Sequence, residues 1–201
     1  MANLYFRYSS MNAGKSTEII KIAHNYEEQG KDVLIFAPKL DDRYETGFVV
    51  SKIGLKKEAK MFDEQTKIRD IVQAYEKKLF CILVDEGQFL TKEQVEDLTQ
   101  IVDYMDIPVI VYGLKNDFQN NLFEGSEALL VYADKIEEVK TVCMFCNRKA
   151  TMNLRVIDGE PVYNGTQIHI GGSESYIPVC RKCYGNPSVE YLRRDDGKNR
   201  T

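Results

Sequence analysis

Apolar positions fall into two rhythms through the first half of the chain. Leu4-Tyr5-Phe6-Arg7-Tyr8, Val33-Leu34-Ile35-Phe36-Ala37, Phe80-Cys81-Ile82-Leu83-Val84 and Val109-Ile110-Val111-Tyr112 are short, largely apolar runs. Such runs predict strands, the most continuous of them buried on both faces of a parallel sheet. Between them apolar residues recur at helical spacing: Ile19, Ile20, Ala23 and Tyr26 up to a C-capping Gly30, then Ile68, Ile71, Val72 and Tyr75, then Val95, Leu98, Val102 and Met105. Thr91-Lys92-Glu93-Gln94 is a capping box that opens the last of these helices. This alternation predicts an α/β fold with a mostly parallel sheet and helices on both faces. Residues 39–60 are polar, with Gly and Lys, and predict a mobile excursion.

After about residue 140 the pattern breaks into short β-like pieces, Gly-rich turns and cysteines. The expected organisation is an α/β domain over 1–140, a small cysteine-bearing domain over 141–186, and a polar, frayed tail over 187–201.

Composition narrows the classes. Of 201 residues 43% are hydrophobic, enough for a core, and the net charge is −4. A general nucleic-acid binder needs a basic surface, so no nucleic-acid partner is expected, and a small-molecule enzyme fits better. No apolar run is long enough to span a bilayer, and the start of the chain lacks a charged-then-apolar signal pattern. A cytoplasmic protein is therefore expected, in which paired thiols serve as metal ligands more readily than as disulfides.

The candidate chemistry begins where the first strand ends. Ser9-Ser10-Met11-Asn12-Ala13-Gly14-Lys15-Ser16 matches a phosphate-binding loop at every position but the first, where Ser9 stands for Gly. Backbone N–H groups and a helix N-terminus are needed to surround phosphate oxygens, and Gly14 permits close approach. Lys15 would reach the β- and γ-phosphates, and the Ser16 hydroxyl would ligate Mg²⁺. A strand before the loop and an amphipathic helix after it supply the required context.

Val84-Asp85-Glu86 ends a buried strand at the carboxyl edge of the sheet, where ligands bind in such folds. Asp85 suits the hold on Mg²⁺, and Glu86 can take a proton from a water (an ATPase) or from a substrate hydroxyl (a kinase). A solvated acidic turn is the plainer reading of the same pair.

Cys143-x2-Cys146 and Cys180-x2-Cys183 match a structural zinc site, whose four ligands leave no position for chemistry. Cys81 reads as an inert strand residue, and His24 and His169 as non-ligands. Gln167-Ile168-His169-Ile170-Gly171-Gly172-Ser173-Glu174-Ser175-Tyr176 lies between the pairs. It reads equally as a lid pressed on a flat ligand or as an ordinary Gly turn with a surface Tyr.

Together these residues resemble the cytosolic, zinc-containing (type II) thymidine kinases over roughly 2–185. The resemblance is carried by Met11-Asn12-Ala13-Gly14-Lys15-Ser16-Thr17, Asp41-Asp42-Arg43, Asp85-Glu86-Gly87-Gln88-Phe89, Tyr112-Gly113-Leu114, Asp117-Phe118, the cysteine quartet, and Ile170-Gly171-Gly172 leading to Tyr176. It implies a RecA-like domain holding ATP at Ser9–Ser16 and Asp85–Gln88, and a lasso loop from the zinc domain that covers thymidine. By the same resemblance Glu86 is the general base, Lys15 and Arg43 (with Asp41 nearby) attend the transferred phosphate, and Phe89, Leu114 and Phe118 wall the thymine pocket. The lasso contacts fall on Gln167, Ile168, His169, Ile170 and Gly171, largely through main chain, with Tyr176 against the nucleoside. A homotetramer and end-product inhibition by dTTP are family expectations. Gly87 is read as merely the variable position of the acidic motif.

The expected activity is thus transfer of the ATP γ-phosphate to the 5′-hydroxyl of thymidine. A phosphate-loop ATPase, a kinase of another nucleoside, and a zinc-ribbon nucleic-acid module fused to a switch domain are the alternatives.

Overall fold

The first run of apolar residues forms β1 (Leu4–Ser9), and it feeds α1 (Lys15–Glu27) through the phosphate-loop sequence. The structure, a computed structural model, describes residues 1–39, 47–167 and 174–188. Expectations that fall on Asp41, Asp42, Arg43, Ile168, His169, Ile170, Gly171 and the tail beyond 188 lie outside the described residues.

The chain continues through β2 (Asp32–Pro38), a hairpin of β3 (Phe48–Val50) and β4 (Lys56–Glu58), β5 (Lys60–Phe62), α2 (Ile68–Gln73) and β6 (Leu79–Val84). A 3₁₀ turn at Gly87–Phe89 leads to α3 (Lys92–Met105), β7 (Val109–Leu114), α4 (Glu124–Tyr132) and β8 (Lys135–Glu138). Six strands make one sheet in the order β5-β2-β6-β7-β1-β8. The pairings of β2 with β5 and β6, of β6 with β7, and of β1 with β8 are all parallel. The expected parallel sheet is therefore present.

One apolar core packs on this sheet. Phe6, Phe36, Ile82, Val84, Val109 and Val111 are buried on it, and Ile68, Val72, Leu98, Ile101 and Leu129 from the helices join the same cluster. The capping box is formed in full: Thr91 Oγ1 accepts the Gln94 N–H at 3.2 Å, and Gln94 Oε1 accepts the Thr91 N–H at 3.1 Å.

Two expectations change. Residues 47–62 are not an excursion: β3 and β4 pair antiparallel, and β5 adds to the sheet edge with Phe62 buried in the core. β3 is an apolar run of only three residues, and β4 and β5 are three-residue strands interrupted by Lys, so none is long enough to announce itself as a strand. The first helix ends at Glu27, and Gly30, at φ 69°, closes the following turn with its N–H on the Glu27 carbonyl.

Two units emerge from the packing. The first comprises Met1–Tyr8, Gly14–Leu114 and Phe123–Glu138. The second comprises Ser9–Ala13, Lys115–Leu122 and, among the described residues, the chain from Val139. In the second unit β9 (Met152–Ile157) is the centre of a three-stranded antiparallel sheet between β10 (Glu160–Val162) and β11 (Glu174–Val179), followed by α5 (Arg181–Gly185). Asp158 and Gly159, at φ 49° and 76°, make the tight turn between β9 and β10, as Asp-Gly does in two-residue hairpins. Leu154, Val156, Ile177 and Val179 share a small core with Cys143 and Cys180. No described helix is long and apolar enough to cross a membrane.

Candidate active site and metal centre

Within the phosphate-loop sequence two residues adopt left-handed backbone: Asn12 at φ 61° and Gly14 at φ 81°. Gly14 stands immediately before α1, and its carbonyl accepts the Glu18 N–H at 3.1 Å. A Cβ built on Gly14 would meet nothing within 4 Å, so glycine is required here by conformation, not by space.

The first half of the loop belongs to the second unit. Ser9 and Ser10 are buried, and the Ser9 hydroxyl donates to the Ser10 carbonyl at 2.6 Å. The Met11 N–H is held at 2.8 Å by the side-chain oxygen of Asn153 on β9. The Ser10 hydroxyl is buried without a hydrogen-bond partner among the described residues. An orphaned buried hydroxyl costs about 1–3 kcal/mol, and an anionic ligand at the loop would remove that penalty.

The second half opens the first unit. Lys15 is buried at the start of α1, and the Ser16 hydroxyl donates to Asp85 Oδ2 at 2.8 Å. Asp85 Oδ1 accepts the Glu86 N–H at 3.0 Å. Burial, then the charge of Glu86, raises the Asp85 carboxyl above its ordinary range, opposed by the Ser16 hydroxyl and Lys15. A cation beside it would favour the ionised form. A hydroxyl and a carboxylate are the hard oxygen donors that Mg²⁺ takes, so this pair fits that ion.

Beyond Asp85 the backbone turns sharply. Glu86 has φ 50° and ψ 44°, a left-handed conformation that costs a non-glycine residue about 1–3 kcal/mol and persists where the surroundings enforce it. The enforcement is visible in the first unit. A Cβ on Gly87 would lie 2.1 Å from Val111 Cγ1, and one on Gly125 of α4 would lie 2.5 Å from the Gly87 carbonyl and 2.6 Å from that of Leu90. Gly87 is therefore set by packing and is more than a variable position of the motif. Gln88, expected on the cofactor, is buried, and both ends of its amide bond within the first unit, to Glu86 and to Leu114.

Of the pocket-wall candidates, Leu114 ends β7 with its carbonyl on the Ser126 hydroxyl at 2.5 Å, and Phe89 packs edge-on to Phe123 with ring centres 6.0 Å apart. Phe118 and Tyr176 meet in the second unit, their rings 6.3 Å apart and tilted by 64°. Asp117 anchors that corner: it accepts the Gln119 and Asn121 N–H groups, each at 2.9 Å, and the Gln167 side chain at 3.0 Å. Sequence reasoning missed Asn153 and Arg155. Arg155 is buried, with its guanidinium 5.0 Å from the centre of the Phe118 ring. They lie on the face of β9 opposite the core residues Leu154 and Val156, and only their tertiary contacts mark them out.

The four cysteines of the knuckles converge as expected. Their sulfurs all lie within 4.8 Å of one another, and Cys146 Sγ is 3.8 Å from both Cys180 Sγ and Cys183 Sγ. A tetrahedral site with metal–sulfur bonds near 2.3 Å has edges of about 3.8 Å, whereas a disulfide is about 2 Å long. The described cysteines are free thiols. The Cys183 backbone N–H, with the neighbouring thiols, lowers the Cys180 thiol, while burial and those same neighbours raise Cys183. The donor set therefore fits zinc.

Comparison with known proteins follows the same lines. The chain matches the family model for thymidine kinase over residues 2–184. It is 59% identical over 191 residues to the thymidine kinase of Listeria monocytogenes serotype 4b (strain F2365), covering 94% of this chain and 100% of that one. It is 57% identical over 192 residues to the thymidine kinase of Streptococcus thermophilus (strain CNRZ 1066), with 96% and 98% covered. Among solved structures, an ATPase domain aligns with a TM-score of 0.46 at 14% identity over 92% of this chain and 83% of that one, a likeness too slight to carry an argument. With a family match across nearly the whole sequence and full-length relatives at this identity, the chain belongs to the thymidine kinase family.

Proposed function

We propose that the protein transfers the γ-phosphoryl group of ATP to the 5′-hydroxyl of thymidine, giving dTMP and ADP. The observation that carries the reading is the Ser16–Asp85 hydrogen bond at 2.8 Å. It joins the helix start of a phosphate loop to the acidic end of β6, with Glu86 next in the chain. Family membership supplies the nucleoside.

In this reading the loop N–H groups from Ser9 to Gly14 and the Lys15 ammonium surround the β- and γ-phosphates. Arg43 would attend the transferred group, as the family resemblance implies. Ser16 and Asp85 would hold Mg²⁺, which when bound would offset the charge developing on the phosphoryl oxygens. The thymidine 5′-oxygen attacks the γ-phosphorus, the bond to the bridging oxygen breaks, and ADP leaves with that electron pair. Glu86 accepts the hydroxyl proton. Positioning and electrostatics dominate such transfers, so Lys15 contributes more to the rate than the base does.

Phe89, Leu114, Phe118 and Tyr176 contact the nucleoside, and Gln167 to Gly171 read the base largely by main chain. The cysteine quartet carries a structural zinc, since four thiolates complete its coordination. A homotetramer in the cytoplasm, inhibited by dTTP, belongs to the same reading.

The test is ADP release from Mg-ATP without acceptor, then with thymidine, deoxycytidine and deoxyadenosine in turn. Stimulation by thymidine alone, with dTMP formed, is expected. Release indifferent to every nucleoside would instead mark an ATPase, and stimulation by another nucleoside a different kinase.

A further inference from the structure

Inside the first unit, the Gln88 side chain reaches both the candidate base and the candidate pocket wall. Its Oε1 accepts the backbone N–H of Leu114 at 2.9 Å, and its Nε2 donates to Glu86 Oε2 at 2.5 Å. The amide has a single sensible orientation: a backbone N–H can only donate and a carboxylate oxygen can only accept, so a flipped amide would lose both bonds. Gln88 is 3% exposed, so water does not compete for either bond. Space for the amide comes from glycine. A Cβ on Gly113 would stand 2.9 Å from Gln88 Oε1 and 3.1 Å from its backbone nitrogen.

We infer that Gln88 is a positioning residue for Glu86. It fixes Oε2 of the carboxylate against the end of β7 and leaves Oε1 to receive the 5′-hydroxyl proton. Because the anchor is Leu114 itself, the wall that meets the base of the nucleoside and the group that takes its proton move as one piece. Seating the nucleoside against Leu114 then sets the distance from Glu86 to the hydroxyl. The inference rests on the assignment of Glu86 as general base.

The experiment is a double-mutant cycle of Gln88→Met and Glu86→Gln, read as kcat and both KM values, with thermal midpoints to verify folding. Methionine fills the volume and removes both hydrogen bonds. Gln88→Met alone should lower kcat about 10- to 100-fold, the scale of a misplaced reacting group, with the ATP KM within about twofold. In the Glu86→Gln background it should lower kcat no further, because it acts through the carboxylate. Gly113→Ala, which crowds the amide without removing it, should show the same pattern and carries the test if the methionine variant does not fold. A Gln88→Met enzyme with normal kcat overturns the inference, as does an equal loss in both backgrounds. If Glu86→Gln alone keeps full turnover, the base assignment fails first and the positioning role fails with it.

Discussion

Asn153, in the β9 strand of the second unit, accepts the Met11 N–H through its side-chain oxygen at 2.8 Å, while its nitrogen donates to the Asn116 carbonyl at 3.2 Å. It is 2% exposed. Strand, phosphate-loop backbone and the segment leading to Asp117 and Phe118 are thereby tied at a single side chain.

This tie predicts how ATP binding fails. Asn153→Leu leaves the part-buried Met11 N–H and the buried Asn116 carbonyl without this partner, a cost of about 1–3 kcal/mol for the buried carbonyl where nothing replaces it. The loop relaxes, and the ATP KM should rise by about tenfold or more with a smaller change for thymidine. Steady-state kinetics with each substrate varied in turn reads this. Equal rises in both KM values would argue for a general loss of structure.

Metal removal should act on the same unit. Cys143 and Cys180 lie in the small core with Leu154, Val156, Ile177 and Val179, so loss of the metal exposes those side chains as well as the thiols. A strong chelator is expected to release about one equivalent of zinc per chain and to lower the melting temperature. Cys143→Ser should do likewise, whereas Cys81→Ser, in a buried strand of the first unit, should leave zinc content unchanged. Metal analysis and differential scanning calorimetry decide it, and a chain that purifies without metal and melts unchanged in chelator would refute the site.

Gly125→Ala probes the packing that bends the chain at Glu86. The added methyl would lie within 3.0 Å of the carbonyls of Gly87, Leu90 and Gln88, and backbone atoms do not swing aside. Overpacking of this kind costs about 1–3 kcal/mol. Urea unfolding should register that loss. Gly14→Ala gives a contrast, since its Cβ meets nothing within 4 Å. Its cost is conformational, about 1–2 kcal/mol for left-handed backbone, and should appear in ATP binding as well as in stability.

These positions show where sequence patterning is informative and where it stops. Buried parallel strands such as β2 and β6 announce themselves, because both faces must be apolar and the run is unbroken. The cysteine pairs and the Gly14-Lys15-Ser16 run are legible because their chemistry requires particular residue types at short spacing. Helix α4 is not: it begins at Glu124 without a side-chain cap, and its buried Gly125 and Ser126 are chosen by what they pack against. Strand β8 is charged and exposed, and its place at the sheet edge comes from pairing with β1, from Tyr5–Lys135 to Tyr8–Glu138. Asn153 and Arg155 are hidden for a related reason. Each acts on a partner distant in sequence, which composition and periodicity cannot supply.

The central claim is that Glu86 takes the proton from the thymidine 5′-hydroxyl, and Glu86→Gln tests it most directly. Single-turnover formation of dTMP should be measured beside ATP affinity. Unchanged ATP affinity with turnover lower by roughly 10²–10⁴-fold, the range for a general base, is the predicted result. Near-normal turnover with ATP bound would contradict the account.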